Sequence, residues 1–357
     1  MRYLVDLTQK QSDVINKLIN TGKYQTVAQF ISTAVENQTY IESSEELSQH
    51  VGIGKMDPSV LRGADIPTNE FRKIGLITIN SQPGIVPLPT FSSLSLSLYK
   101  AEEEKCWLWG QTNKIFPVKI GLRILYASIG SEQWMNLEEY RDIAANIVAN
   151  IGTIIRKYED KNDKLRDERI SAGLPDVKKI KSKARYKGHF LAYMRKDGIL
   201  DGAMPCLRFV NLKRNERGKV FIGLTEAGLI FAKLENPVID QQNFERSFNE
   251  KEIDFYLTHI FKNVKGENSA IKWLLRKLIE GIVVREDINN ELKKEFSQVW
   301  NASDAVINTQ RSGLMARMYE LGLIEKKKMG INVRYNITEK GKIFLKNNNL
   351  FSNYKEK

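Results

Sequence analysis

The chain has 357 residues, of which 42% are hydrophobic and 27% charged, and a formal net charge of +12. That balance belongs to a globular protein with room for two or three cores, and it excludes a disordered chain and a helical membrane bundle. Cys106 and Cys206 stand alone without metal-ligand spacing, which excludes a disulfide framework and fits a reducing cytoplasm.

The charge is unevenly placed. Residues 1–110 hold ten Lys/Arg against twelve Asp/Glu, a net of −2, so the remainder carries +14. A basic region of this size is the electrostatic footprint of a polyanionic partner. No apolar run reaches membrane-spanning length, and the amino terminus lacks a signal peptide's apolar core, so a soluble cytoplasmic protein is expected.

In chain order, residues 2–7 (RYLVDL) alternate at period two and predict a strand with Tyr3, Val5 and Leu7 on one face. Thr8 opens a helix whose Val14, Ile15, Leu18 and Ile19 form an apolar stripe, and Gly22 suits its end. Thr26 and Gln29 make a capping box for a second helix with Val27, Phe30, Ile31, Ala34 and Val35 inward. One strand and two helices cannot enclose a core alone. A second copy is expected to complete it through Tyr3, Val5, Leu7, Phe30 and Ile31.

This order resembles the ribbon-helix-helix fold of the Arc and MetJ type over residues 2–38. The likeness includes GKYQTVAQFISTAV, where that family often has Gly-x-Tyr-x-Ser/Thr before its second helix. The resemblance implies a homodimer or higher oligomer held by residues 1–42. In the family the strand's outward residues enter the DNA major groove. Here those would be Arg2, Leu4 and Asp6, and a leucine and an aspartate suit that place poorly, so contact of this ribbon with DNA stays open.

Residues 43–117 form a linker followed by a small β-containing region. Gly and Pro mark turns, LITIN and SLSLSLY predict strands, and the latter places Leu94, Leu96 and Leu98 on one face. From residue 118 the pattern is helical: VKIGLRILYASI, then NLEEYRDIAANIVANIGTIIRKYED with Ile143, Ile147, Ile151 and Ile154 on one stripe.

A phrase then occurs twice. VFIGLTEAGLIFAK (220–233) and VRYNITEKGKIFLK (333–346) share Val, Thr-Glu, Gly, Ile-Phe and Lys at matching places. Upstream, MRKDGILD (194–201) matches MYELGLIE (318–325), predicting a helix that ends at Gly198 or Gly322, then a strand, a charged hairpin and a returning strand. Thr225 and Thr338 are the expected caps of the closing helices.

This arrangement resembles the winged helix-turn-helix, once over 118–237 and again over 250–350. The fold class expected is therefore mainly α with small β elements: a ribbon-helix-helix followed by tandem winged helices. In the second copy 268–281, 284–297 and 303–321 would be the three helices, with Ala305, Leu314, Met318 and Leu321 inward. The first copy is looser, with a longer second helix and a longer hairpin.

A recognition helix enters the major groove while the wing lies along phosphates. The cations expected there in the first copy are Lys181, Lys183, Arg185 and Lys187, in a run leading into the recognition helix, and Lys213, Arg214 and Arg217 on the wing. In the second copy Asn308, Gln310 and Arg311 suit base edges, and Lys326, Lys327, Lys328 and Arg334 form the wing.

The three histidines (His50, His189, His259) are scattered, no phosphate-loop motif occurs, and the acids at 160–168 sit among lysines. No enzyme, metal or cofactor is expected; a nuclease built from scattered carboxylates in 43–117 is the remaining alternative. The expected partners are double-stranded DNA and a second copy of the chain, in the nucleoid and away from membranes. A prokaryotic transcriptional regulator is the leading role. The alternatives are a DNA-recognition subunit of a larger replication, partition, mobile-element or defence complex, or a winged-helix adaptor that grips proteins. Tandem winged helices also resemble plasmid replication initiators.

Overall fold

The computed structural model describes residues 9–20, 26–28, 30–31, 69–75, 82–165, 168–329 and 332–352. The chain divides into two units, 1–66 and 67–357. In the first, α1 (Gln9–Asn20) buries Ile15 and half-buries Ile19, and the Phe30 amide donates to the Thr26 carbonyl at 3.1 Å. Phe30 and Ile31 are half-buried, whereas Tyr3, Val5, Leu7 and the strand expected around them lie outside the described residues.

The second unit is mainly helical with small antiparallel sheets. Its first half is built around α2 (Phe116–Ile129), a helix apolar on nearly every side and therefore buried on every side. The two exceptions, Lys119 and Arg123, lie fully inside. Lys119 reaches Glu252 at 3.0 Å and the Leu234 carbonyl at 2.7 Å; Arg123 forks onto Asp240 at 2.7 and 3.0 Å. Burial lowers the Lys119 ammonium to about 8, and the same burial raises the Glu252 carboxyl.

After β1 (Met135–Asn136), Asn136 caps α3 (Leu137–Lys161) by accepting from the Glu138 and Glu139 amides, each at 3.1 Å. The buried stripe of α3 runs through Tyr140, Ala144, Val148, Ile151 and Ile155. It is rotated from the expected isoleucine stripe, because Ile143, Ile147 and Ile154 are only half-buried beside it. The chain continues through α4 (Ile180–His189), β2 (Tyr193–Met194), β3 (Leu200–Asp201) and α5 (Ala203–Cys206). Then come β4 (Val210–Arg214), β5 (Val220–Leu224) and α6 (Glu226–Lys233), with sheet order β1-β5-β4.

The other half comprises α7 (Glu250–Asn263), α8 (Lys265–Ile279), α9 (Arg285–Trp300), α10 (Asp304–Glu320), the hairpin β6 (Ile324–Met329) and β7 (Asn332–Ile337), and α11 (Glu339–Ser352). An isolated bridge, Val284 to Arg334, sets a third short segment beside β7. It repeats the Asn136–Phe221 pairing of the first half, so the order β1-β5-β4 has its counterpart in Val284-β7-β6.

The repeated phrase has a shared structural job. Thr225 accepts from the Gly228 amide at 3.1 Å and Thr338 from the Gly341 amide at 3.2 Å. Their hydroxyls donate to the Arg208 and Gly322 carbonyls at 2.9 and 2.7 Å, and their own amides donate to Phe209 and Leu323, both at 3.0 Å. Arg208 and Gly322 both have positive φ, 56° and 68°. Gly228 and Gly341 are required because an added Cβ would lie 1.9 Å from the Phe209 oxygen and 2.4 Å from the Leu323 oxygen.

That equivalence corrects the upstream alignment. Arg208, not Gly198, corresponds to Gly322. The helix before Gly198 ends at His189, where Phe190, Leu191 and Ala192 turn into the core, and Gly198 (φ 88°) makes the tight turn between β2 and β3. The first half therefore carries an extra hairpin between α4 and α5, at the place where α10 runs uninterrupted. Two other expectations fail. SLSLSLY forms 3₁₀ turns that bury Leu94 and Leu96 but expose Leu98, and Ala305 is exposed while Ile307 takes the inward place. LITIN lies outside the described residues.

Candidate nucleic-acid interface

In the first half, α4 is anchored by Tyr186, which is buried and donates its hydroxyl to the Pro117 carbonyl at 2.9 Å. The opposite face then carries Lys181 and Arg185, both exposed and without an ion pair among the described residues. Lys183 and Lys187 turn back onto α3 instead, Lys183 to Asn146 at 2.9 Å and Lys187 to Asp142. Lys181, Arg185, Lys178 and His189 line a cleft of about 670 Å³ together with Gln111 and Asn113. Partial burial and the Arg185 charge hold the His189 imidazole below its ordinary value.

On the β4–β5 hairpin, Lys213, Arg217 and Lys219 are exposed, and the Lys213 ammonium sits 4.3 Å above the Trp134 ring. Arg214 is committed elsewhere: it donates to the Arg195 and Lys196 carbonyls at 2.7 and 3.1 Å, binding the extra hairpin to the wing.

The second half differs from expectation on α10. Gln310 is buried, accepts from the Gly110 amide and donates to the Leu108 carbonyl at 3.5 Å, so it cannot read a base. The cause is a strap, residues 106–116, laid across the helix. Gly110 and Gly313 meet backbone to backbone, a Cβ on Gly313 falling 2.1 Å from the Gly110 oxygen. Arg317, paired with Glu267 at 2.8 and 2.9 Å, also holds the Thr112 carbonyl at 2.6 Å, and Glu320 accepts from the Ile115 amide at 2.5 Å. The exposed residues of α10 are left as Asp304, Ala305, Val306, Asn308 and Ser312.

Arg311 is half-buried and donates from Nε to Asn289 Oδ1 at 2.8 Å; Asn289 in turn donates to Asn308 at 2.6 Å. Lys327 and Arg334 face each other across β6–β7, both exposed and without an ion pair among the described residues, and Lys326 lies 4.0 Å over the Tyr319 ring. The backbone of Lys328 pairs with Val333. The residue that sequence reasoning missed is Arg285, whose Nε donates to the Tyr335 hydroxyl at 3.1 Å. Its signal was the pair of acids following it: Arg285-Glu286-Asp287 answers Leu137-Glu138-Glu139 at the same structural place.

His259 is a core residue, its Nε2 2.7 Å from the Leu207 carbonyl. Among the described residues no helix is long and apolar enough to cross a membrane. No family model matches the chain, and neither the curated proteins nor the solved structures contain a match to it.

Proposed function

We propose that residues 118–237 and 250–350 are two winged helix-turn-helix heads on double-stranded DNA, and that residues 1–42 pair two chains as a ribbon-helix-helix. One observation carries this reading. The same threonine-clamped unit occurs twice, and in both copies the hairpin projecting from it bears exposed cations without carboxylate partners among the described residues: Lys213, Arg217 and Lys219, then Lys327 and Arg334. The strand orders β1-β5-β4 and Val284-β7-β6 support it, since they set a hairpin beside a helix in the way a wing requires. Lys181 and Arg185 on α4, and Asn308 on α10, are the side chains placed to enter a groove, while the hairpins follow the phosphates.

Two-fold pairing would give four heads and a palindromic or repeated site. We take sequence-specific transcriptional regulation as the role. The alternatives are DNA recognition within a replication, partition, mobile-element or defence complex. Sequencing the DNA fragments retained by the purified protein separates promoters from origins and partition loci. Duplex binding measured across a salt series tests the reading itself: about six phosphate contacts give a slope of log K against log salt near −5. Replacing Lys181 and Arg185, or Lys327 and Arg334, by alanine should flatten that slope by roughly 2 for each pair. An affinity indifferent to salt would overturn DNA binding and favour an adaptor that grips proteins.

A further inference from the structure

We infer that Arg285 and Arg311 of the second head form a clamp for a single phosphodiester group of bound DNA. This deepens the reading above and rests on it. Arg285 stands at the first turn of α9 and Arg311 on α10, and among the described residues each uses only its Nε, Arg285 on the Tyr335 hydroxyl and Arg311 on Asn289. Neither guanidinium meets a carboxylate among the described residues, although Glu286 and Asp287 are neighbours in the chain. Their terminal nitrogens are thus left to other partners, while Nε is held by a phenol and an amide that carry no charge.

Electrostatically the pair is costly as it stands. Arg311 is half-buried beside the exposed Arg285, one helical turn before the Asn289 that holds Arg311, and burial together with the Arg285 charge lowers the Arg311 pKa. An anion between them relieves both penalties. Two planar forks suit a phosphate, whose oxygens accept paired N–H groups. Tyr335 is buried and pairs in register with Lys326, so the Arg285 head is fixed from the wing side, while the Asn289–Asn308 contact fixes Arg311 from the helix side. The notch therefore lies between α10 and the wing, where a strand backbone would cross from groove to hairpin.

The first head has no such notch. Leu137 occupies the place of Arg285, and its neighbour Glu138 is paired with Arg141 at 2.6 Å.

The test is a double-mutant cycle in which one partner is the DNA. The full-length protein is titrated against a retained duplex and a series in which one phosphate at a time is replaced by an uncharged methylphosphonate. For the natural chain, one position per head site should weaken binding about tenfold, the scale of a charged hydrogen-bonded contact. The variant R285Q/R311Q should lose the same tenfold on the unmodified duplex and nothing more at that position. Arg311→Lys, which keeps the charge without the fork, should fall between. If R285Q/R311Q melts like the natural chain yet stays sensitive to every modified position, the clamp is wrong while DNA binding stands. If the natural chain retains no duplex, the reading beneath it fails and the clamp with it.

Discussion

The two halves of residues 67–357 close in the same way and open differently. Each ends in a threonine that ties a returning strand, a helix start and the preceding helix end into one knot. Before the knot, the second half has one continuous helix of 17 residues, whereas the first has α4, an inserted hairpin and the four-residue α5. The knot can be repeated because it uses backbone groups and one glycine. The segment before it is free to vary, since it only has to deliver a helix end to the threonine. The difference teaches where a repeat is under steric control and where it can diverge toward separate contacts.

Breaking the buried ion pairs should have the largest effect. Glu267→Leu strands Arg317, which is 1% exposed, and should cost about 3–5 kcal/mol in denaturant unfolding. Asp240→Leu in the first half should cost less, because its carboxylate is 10% exposed and Arg123 keeps the carbonyls of Ala232 and Leu234. Equal losses would show that the halves are tied alike. Next comes the knot: Gly228→Ala and Gly341→Ala should each cost about 1–3 kcal/mol by forced overpacking, with Gly228 the worse of the two. Tolerance at either site would separate the two knots that the hydrogen bonds equate.

The smallest effect concerns pH and only the first half. His189 lies beside Arg185 with a pKa lowered from 6.5, so it is neutral in the free protein near pH 7. A nearby phosphate would favour the imidazolium, so binding would take up a proton, and DNA affinity should rise as the pH falls through the bound-state pKa towards the lowered pKa of the free protein. His189→Gln should flatten that rise, while changes at Lys327 and Arg334 should leave it intact.

Much of this was legible because it depends on local rules. Periodicity placed α2 and α3, Thr225 and Thr338 announced their caps, and Gly322 ended α10 as a left-handed residue should. What escaped depended on contacts between distant residues. Gln310 reads as a base-contacting side chain until Gly110, two hundred positions earlier, is laid against it. Gly198 reads as a helix end because a glycine of positive φ serves a hairpin turn equally well. Lys183 and Lys187 are indistinguishable in sequence from Lys181, and only the α3 side chains Asn146 and Asp142 separate them. Arg285 had only the acid pair that follows it as a signal, and it takes the strand pairing at Val284 to align that pair with Glu138 and Glu139.

The strap across α10 runs on without a break into α2, and Glu320 at the end of α10 holds the first amides of α2. The second half's α10 is thereby pinned to the first half's α2, like the two jaws of a calliper locked at one opening. On the proposed reading, a duplex gripped by both halves would have to conform to that gap, and base pairs inserted between the two contacts would be absorbed by bending or twisting the DNA.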